Sequence, residues 1–332
     1  MQVKVLAIDL AKENFYLYGV DATGMKVLDK MLRRKELLSA VSKINSCEVV
    51  MEACGGSNYF AREFKKMGHT VRLISPQFVK PFVGHQKNDR NDARAIYEAS
   101  CRPEIKSVGQ KELWQQDLQA LHKVRERLVK NRVALTNQIR SLLCEYGVIT
   151  KKSDVQLLRQ VPCLLDEECG QLTVVVKELL HDFLLEYGDL KTKELSVTER
   201  IKSLSRANEK AQRLEELKGV GPMTSTLLLA SVGDGKEFKN GRSFSAWLGL
   251  VPKQHSSGGR TRLLGITKNG NVALRALVIQ GARAAIYAHM KTNYRGEHGE
   301  WVKTLVERKG FNRAAVALAN KNARHMWRRL VA

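Results

Sequence analysis

The chain has 332 residues, 43% of them hydrophobic, which is enough for two or three folded cores and excludes a disordered polypeptide. It carries 56 Lys and Arg against 34 Asp and Glu, and the net charge of +22 indicates a polyanionic partner. No run of about 18 apolar residues and no signal segment is present, so we expect no membrane span and a cytoplasmic protein.

Positive charge is concentrated toward the C-terminus. Residues 200–332 hold 25 Lys and Arg and 8 Asp and Glu, a net charge of +17, which leaves +5 for residues 1–199. We expect this part of the chain to bind nucleic-acid phosphates. A solvated basic surface is the alternative interpretation.

The cysteines are irregularly spaced and form no C-x-x-C pair, which argues against a zinc site and a disulfide framework. We interpret them as reduced and mostly buried. They are Cys47, Cys54, Cys101, Cys144, Cys163 and Cys169.

Residues 1–110 are predicted to form an α/β domain. Alternating or continuous apolar runs indicate strands at 3–9, 14–20 and 26–32, then a helix at 35–44. A strand at 48–52, a helix at 57–67 and a strand at 70–74 follow. This order of elements is that of a ribonuclease-H-like fold.

Residues 111–215 are predicted to form a helical coiled-coil arm. Residues 112–146 contain no Gly or Pro, and their apolar residues follow a heptad seam that Arg125 and Arg132 interrupt. We expect these arginines to meet acids or RNA phosphate, and the seam to be the interface of a homo-oligomer, a dimer or a tetramer. A second helical pair, 166–187 and 192–217, is predicted to be joined at 187–189.

Residues 216–332 are predicted to form a helical C-terminal domain. It begins with a hairpin containing Gly219 and Gly221, which either presents backbone N–H groups to a phosphate or is a tight turn that needs glycine. An apolar helix at 225–232, a flexible Gly/Ser/basic loop at 253–271 and three helices at 271–290, 294–309 and 312–330 are expected to follow.

Four acids are candidate metal ligands. Asp9 and Glu52 end two apolar strands, where they can converge, and Asp89 and Asp92 share one face at the start of a helix. Four neighbouring carboxylates repel each other unless cations bind between them, and hard oxygen ligands suit Mg²⁺ or Mn²⁺. For Asp89 and Asp92 alone, a helix N-cap with a favourable dipole contact is the alternative.

A second candidate site follows Pro252. Ser257 precedes two glycines that would let a phosphate approach its hydroxyl, and Arg260, Arg262 and Lys268 could neutralise phosphoryl oxygens. A basic loop that only holds phosphate is the competing interpretation. These basic groups do not accept a proton, so we expect serine activation to come from a metal bound in the N-terminal domain, in a composite working site.

The sequence resembles the DEDD transposases of the IS110 family of bacterial insertion sequences, in particular its IS1111 branch, over nearly the whole chain. The last of the motifs is the most specific. The motifs are Ala7-Ile8-Asp9, Met51-Glu52-Ala53, Asn88-Asp89-Arg90-Asn91-Asp92-Ala93-Arg94, Leu217-Lys218-Gly219-Val220-Gly221-Pro222, and His255-Ser256-Ser257-Gly258-Gly259 with residues 263–271.

The resemblance implies a RuvC-type N-terminal domain, a coiled-coil arm and a C-terminal transposase domain. It also implies metal-dependent DNA recombination, guided by a structured non-coding RNA that pairs with donor and target double-stranded DNA. By motif, Asp9, Glu52, Asp89 and Asp92 would be the metal-binding tetrad. Ser257, with Ser256 as its neighbour, would be the serine that forms a covalent link to DNA.

Three other functions remain open from the residues. A site-specific DNA invertase of the same fold would share both sites, and a Holliday-junction nuclease would use metal-activated water in place of the serine. A basic nucleic-acid-binding protein would need neither serine nor metal.

Overall fold

The computed structural model describes residues 2–84, 88–165, 172–293 and 296–332. The chain divides into two compact units, residues 1–112 and 113–332. Within the described ranges, no helix is both long enough and apolar enough to cross a membrane. The boundary predicted at residue 110 agrees with the observed division near 112. The boundary at 215 stays a prediction.

The first unit is built on a five-stranded mixed sheet with the order β3-β2-β1-β4-β5. Strands β1, β2 and β3 are antiparallel neighbours, and β1, β4 and β5 are parallel. This mixed α/β sheet confirms the α/β part of the predicted fold class and is consistent with a ribonuclease-H-like domain. The strands are β1 (Val5–Leu10), β2 (Asn14–Val20), β3 (Lys26–Arg33), β4 (Glu48–Glu52) and β5 (Thr70–Ile74).

Helices cover both faces of this sheet, because alternate residues of the central strands point to opposite sides. Leu6 and Ile8 of β1 pack in one core with α1 and α2, while Ala7 packs in another with α4. A short 3-10 turn, Lys80–Phe82, precedes α4. The helices are α1 (Arg34–Val41), α2 (Ser57–Lys66), α3 (Pro76–Val79) and α4 (Asp89–Ser100).

The second unit begins with long helices. The predicted break at Gly188 is wrong, because one helix runs through it; a single glycine costs only about 1 kcal/mol relative to alanine, which packing on a neighbouring helix offsets. Residues 166–171, where part of this prediction fell, lie outside the described ranges. The helices are α5 (Leu113–Glu145), α6 (Asp154–Leu165), α7 (Val174–Arg206) and α8 (Glu209–Glu215).

The heptad seam of α5 packs inside this chain. Leu128, Leu135 and Ile139 are buried in one core with residues of α6 and α7. Arg125 of α5 bonds to Thr198, and Arg132, farther along α5, stacks on Tyr187, so α5 and α7 are antiparallel. The expectation that this seam forms the interface between subunits is therefore wrong, since α6 and α7 already cover its apolar side.

The rest of the second unit is a helical core with one β-hairpin. The expected flexible loop at 253–271 is wrong for most of its length, because strands β6 and β7 pair across it. Gly258 and Gly259 both have positive φ, the conformation of a two-residue type I′ turn. The elements are α9 (Pro222–Val232), α10 (Gly241–Trp247), β6 (Pro252–Ser257), β7 (Arg260–Ile266), α11 (Val272–Lys291), α12 (Glu297–Lys309) and α13 (Phe311–Val331).

The cysteines depart from the prediction that most of them are buried. Cys47 is buried and Cys54 half-buried, whereas Cys101, Cys144 and Cys163 are exposed. All five are free thiols, and Cys169 lies outside the described residues. Irregular spacing carries no periodicity from which their orientation could have been read.

Candidate active site

Asp9 and Glu52 extend from the ends of neighbouring parallel strands. Ala7 of β1 pairs with Val50 of β4, and both lie in the core beneath α4. Two residues farther along each strand, the side chain returns to the same face, which places Asp9 and Glu52 on the α4 side of the sheet. Both acids line one cleft there.

Asp89 and Asp92 reach this cleft from the first turn of α4. The helix is capped by Asn88, whose side-chain oxygen accepts a hydrogen bond from the Asn91 N–H at 2.9 Å. The N-cap alternative for the two aspartates is therefore wrong, although both acids do lie at the favourable end of the helix dipole.

Asp9, Asp89 and Asp92 form a tight acidic cluster. Each offers a carboxylate oxygen, and these oxygens lie within 4.8 Å of one another. Glu52 lines the same cleft of about 620 Å³, outside this group of three. Three converging carboxylates are hard oxygen ligands suited to a divalent cation, which would also offset their mutual repulsion. The residues present therefore fit a metal ion.

A set of polar contacts fixes the start of α4 to the sheet. Asp29 of β3 accepts hydrogen bonds from Lys26 at 2.7 Å, Tyr16 at 2.5 Å and Arg90 of α4 at 2.6 Å. The Lys26 contact first, then those of Tyr16 and Arg90, lower the pKa of Asp29 to about 2. Arg90 lies between the two cluster aspartates in sequence, so this contact positions both. Sequence reasoning missed Asp29.

Cys54 lies two residues after Glu52, the last residue of β4, but its thiol is not an activated nucleophile. Burial, and then the nearby Glu52 and Asp9 carboxylates, raise the pKa of its thiol. A neutral thiol is a poor nucleophile, so the acids are the chemically competent groups in this part of the first unit.

The second candidate site belongs to the other unit. Ser257 is the last residue of β6 and pairs with Arg260 across the Gly-Gly turn. Every residue of β6 is exposed, as are Arg260 and Arg262 of β7 and Lys268 beyond it. The hairpin therefore presents a hydroxyl beside guanidinium groups to solvent.

Hydrogen bonds and close backbone packing hold the base of this hairpin. Arg275 of α11 is buried and donates to the carbonyl oxygens of Leu248 at 3.3 Å and Asn269 at 2.5 Å. Gly249 and Gly270 have positive φ, and a Cβ on either would overlap neighbouring backbone. Sequence reasoning did not single out these three residues, because their role depends on contacts between separate segments.

Arg125 and Arg132 pair with acids, one of the two alternatives left open for them. Arg132 donates to Glu194 at 2.9 Å and to Asp154 at 2.7 Å. Arg125 bonds to Thr198 at 2.9 Å and lies 3.6 Å from Glu194. Their charges are already compensated within the second unit, which does not favour them as nucleic-acid contacts.

The mixed sheet and its acidic cleft define a nuclease-like enzyme of the DEDD class. A family model for the IS110 DEDD transposase matches residues 6–148, and one described as "Transposase IS116/IS110/IS902 family" matches residues 211–295. The chain belongs to the IS110/IS116 family of DEDD transposases, enzymes that cleave DNA and transfer its strands. Members of this class use divalent metal ions.

Relatives that match nearly the full chain include the following three transposases. The transposase for insertion sequence element IS1111A of Coxiella burnetii is 45% identical over 98% of this chain and 89% of its own length. A probable family 20 transposase of Pseudomonas aeruginosa is 40% identical over 98% of this chain and 96% of its own. The transposase for insertion sequence element IS1328 of Yersinia enterocolitica is 38% identical over the same shares.

Proposed function

We propose that this transposase holds Mg²⁺, or Mn²⁺ in its place, on Asp9, Asp89 and Asp92, with Glu52 as the fourth ligand. The observation that carries the proposal is the approach of the three aspartate oxygens to within 4.8 Å of one another. A bound divalent ion would polarise a DNA phosphate and lower the barrier to its attack. The four carboxylates orient the ion, and Arg90 keeps two of them in place through Asp29.

Removing one ligand tests the metal site. Asp92→Ala should abolish strand exchange in Mg²⁺ and weaken Mn²⁺ binding measured by calorimetry, while RNA binding stays intact. Glu98→Ala is the matched control, because Glu98 is an acid of the same helix that pairs with Arg94 at 2.8 Å and does not line the cleft. Normal recombination by Asp92→Ala protein would overturn the proposal.

We propose Ser257 as the nucleophile that links the protein covalently to DNA. Its exposed position beside Arg260, on a hairpin that carries Arg262, supports this role because guanidinium groups stabilise the charge that develops on a phosphate under attack. We place the metal and the serine in one reaction, so each unit alone should be inert.

Trapping the covalent intermediate tests this assignment. Wild-type protein mixed with labelled DNA and denatured should give a protein–DNA adduct, and Ser257→Ala protein should give none. Ser256→Ala is the matched control and should react nearly normally. An adduct that survives in Ser257→Ala but disappears in Ser256→Ala would move the nucleophile by one residue. No adduct in any variant would favour a nuclease that uses water.

We also propose that a structured non-coding RNA from the element guides the enzyme to donor and target double-stranded DNA. The +17 charge of residues 200–332 and the resemblance to IS110 transposases support this partner. Gly219, Gly221, Lys268 and the hairpin arginines are the candidate contacts. RNA that copurifies with the protein and maps beside its gene would support the guide; strand exchange unaffected by ribonuclease would contradict it.

Phosphate contacts make a second, independent prediction about the same surface. Binding should weaken steeply as salt rises, because each neutralised phosphate releases counterions. A flat dependence of affinity on salt would contradict a phosphate-dominated interface. Removal of single arginines from the hairpin should reduce the slope.

The functional assembly is proposed to be a dimer or tetramer, since recombination must hold two duplexes. Light scattering with and without nucleic acid tests the oligomer, and a monomer in both conditions would overturn it.

We propose a three-part organisation of the chain, with a RuvC-like part at 1–110, a coiled-coil arm at 111–215 and a transposase part at 216–332. Sequencing the DNA around the gene distinguishes a transposase with mobile ends from an invertase.

A further inference from the structure

The register of the β6–β7 hairpin separates its side chains into two faces. Residues directly opposite each other in an antiparallel pair share a face, and successive residues of one strand alternate. Ser257 pairs with Arg260 and His255 with Arg262. His255 and Ser257 are two residues apart on β6, so they lie on one face together with both arginines.

Ser256 lies on the opposite face. It pairs with Thr261, and its hydroxyl accepts a hydrogen bond from Gln254 at 2.7 Å and approaches the Thr261 hydroxyl at 3.5 Å. The two neighbouring serines therefore have different surroundings. Uncharged polar side chains surround Ser256, whereas two guanidinium groups and one imidazole share the face of Ser257.

We propose that His255 is a catalytic residue that accepts the proton of the Ser257 hydroxyl during attack on DNA. This inference rests on the proposed role of Ser257. A serine hydroxyl is a weak nucleophile without a base. The other groups on its face, Arg260 and Arg262, are permanent donors with no acceptor atom, whereas a neutral imidazole has one free nitrogen.

The distance along the strand suits this transfer. Residues two apart in a strand are separated by about 6.5–7 Å, and side chains lean along the strand direction. An imidazole can therefore reach a neighbouring hydroxyl directly or through one water molecule. Exposure of both residues leaves room for the phosphate between them.

Attack by Ser257 exchanges one phosphate ester bond for another. The Ser257 Oγ–P bond forms while the P–O bond to the leaving deoxyribose oxygen breaks, and that oxygen takes a proton from water. His255 becomes an imidazolium as it takes the Oγ proton. In the reverse step, a deoxyribose hydroxyl of the incoming strand attacks the phosphoserine and gives its proton to the hydroxide left by the first step. The new P–O bond forms as the Oγ–P bond breaks, and His255 returns its proton to Oγ.

The test measures the rate of adduct formation with saturating DNA in Mg²⁺, from about pH 5.5 to pH 9. A general base acts only in its unprotonated form, so the wild-type rate should rise through an inflection as pH increases. His255→Ala and His255→Gln should lose this inflection and react about 10²–10⁴-fold more slowly. Added imidazole should partly restore His255→Ala.

The charged groups near His255 are all cations. Arg262 lies opposite it, Arg260 shares its face, and Lys253 precedes it by two residues. A protonated lysine and the two guanidinium groups have no acceptor atom, so they cannot replace the imidazole as a base. Gln254→Ala, on the other face, is the matched control and should keep the wild-type profile.

The outcomes separate this inference from the proposal about Ser257. If Ser257→Ala still forms the adduct, the serine assignment fails. If Ser257→Ala forms none but both His255 variants keep the wild-type rate and profile, the role of His255 is overturned alone. A loss confined to DNA affinity, with an unchanged rate at saturation, would also overturn it and make His255 a binding residue.

Discussion

Gly219, in the turn before α9, and Gly281, in the middle of α11, are in direct backbone contact. A Cβ atom on either residue would overlap the carbonyl oxygen of the other. Gly219 also has a φ of +87°, where an L side chain is strained. Close packing therefore accounts for Gly219 without any ligand. Gly221 differs, because its φ is −122° and a Cβ there would meet nothing within 4 Å.

This difference predicts losses of stability of different size for two alanine variants. Gly219→Ala should destabilise the second unit by about 2–4 kcal/mol through backbone strain and overlap. Gly221→Ala should cost less than about 1 kcal/mol, the ordinary loss at a helix N-cap. Urea unfolding of both proteins checks the prediction, and equal stabilities would contradict the packing role of Gly219.

DNA binding by the Gly221 variant then tests the phosphate interpretation separately. If the backbone N–H groups of the turn at residues 219–221 hold a phosphate, Gly221→Ala should weaken DNA binding while the fold stays intact. Unchanged affinity in this variant would leave this turn with only the packing role that Gly219 shows.

Sequence periodicity predicted the first unit well because the middle residues of its central strands, β1 and β4, are buried on both faces and form continuous apolar runs. The approach of Asp9 to Glu52 followed from the parallel order of their strands. The brace from Asp29 to Arg90 did not, since it joins residues 61 positions apart that carry no shared pattern. The sequence therefore allowed the acidic residues of the cleft to be predicted, but not the contact between Asp29 and Arg90 that positions two of them.

The hairpin that carries Ser257 was misread because its strands have no hydrophobic face. Every residue of β6 is exposed, so alternation of apolar and polar residues was absent. The Gly258-Gly259 pair between two basic, polar segments was the available signal for a two-residue turn. Missing the strands also hid His255, since only the two-residue period places it beside Ser257.

Loosening the start of α4 should impair the acidic cluster. Asp29→Asn removes the charge that holds Arg90, so we expect weaker Mn²⁺ binding and slower strand exchange with stability reduced by about 1 kcal/mol or less, since Arg90 is largely exposed. Arg94→Ala is the matched control, because its pair with Glu98 lies on the same helix. Identical metal affinity in both variants would contradict the brace.

Acid should weaken this brace only at very low pH. The pKa of Asp29, about 2, lies below its usual value near 4, so its stabilising contribution is complete above pH 4 and lost as pH falls toward 2. Nuclear magnetic resonance titration of the Asp29 carboxyl carbon checks this, and a midpoint near 4 would contradict it.

Arg132 should matter for stability and not for nucleic-acid affinity. Its side chain is 16% exposed and that of Glu194 only 9%. Glu194→Gln would leave Arg132 with Asp154 alone, an acid that it shares with Arg140. We expect a loss of about 2–3 kcal/mol in the unfolding free energy. Lys202→Gln, which breaks an exposed pair with Glu199 on α7, should cost almost nothing. RNA affinity that falls in Arg132→Gln without loss of stability would contradict this assignment.

His122 makes the second unit sensitive to mild acid. Its ring bonds to the Thr226 hydroxyl at 2.9 Å, and that hydroxyl donates to the Pro222 carbonyl oxygen at 2.5 Å, so the Nε2–H of His122 is the donor. Burial, and then the charge of Arg125, lower the pKa of His122 to about 4. The folded ring thus resists protonation more strongly than the unfolded one.

The sign of the pH effect follows from this lowered pKa. Between pH 6.5 and 4 the unfolded chain binds a proton that the folded chain does not, so stability is full above pH 6.5 and decreases by at most about 3 kcal/mol as pH falls to 4. Burial also lowers the pKa of His289, His298 and His325, which act in the same direction. His122→Gln should make the unfolding free energy less dependent on pH, because it removes the part of the dependence that His122 contributes. His181→Gln, at an exposed position of α7, is the matched control. Parallel curves for wild type and His122→Gln between pH 4 and 7 would contradict the buried neutral state of His122.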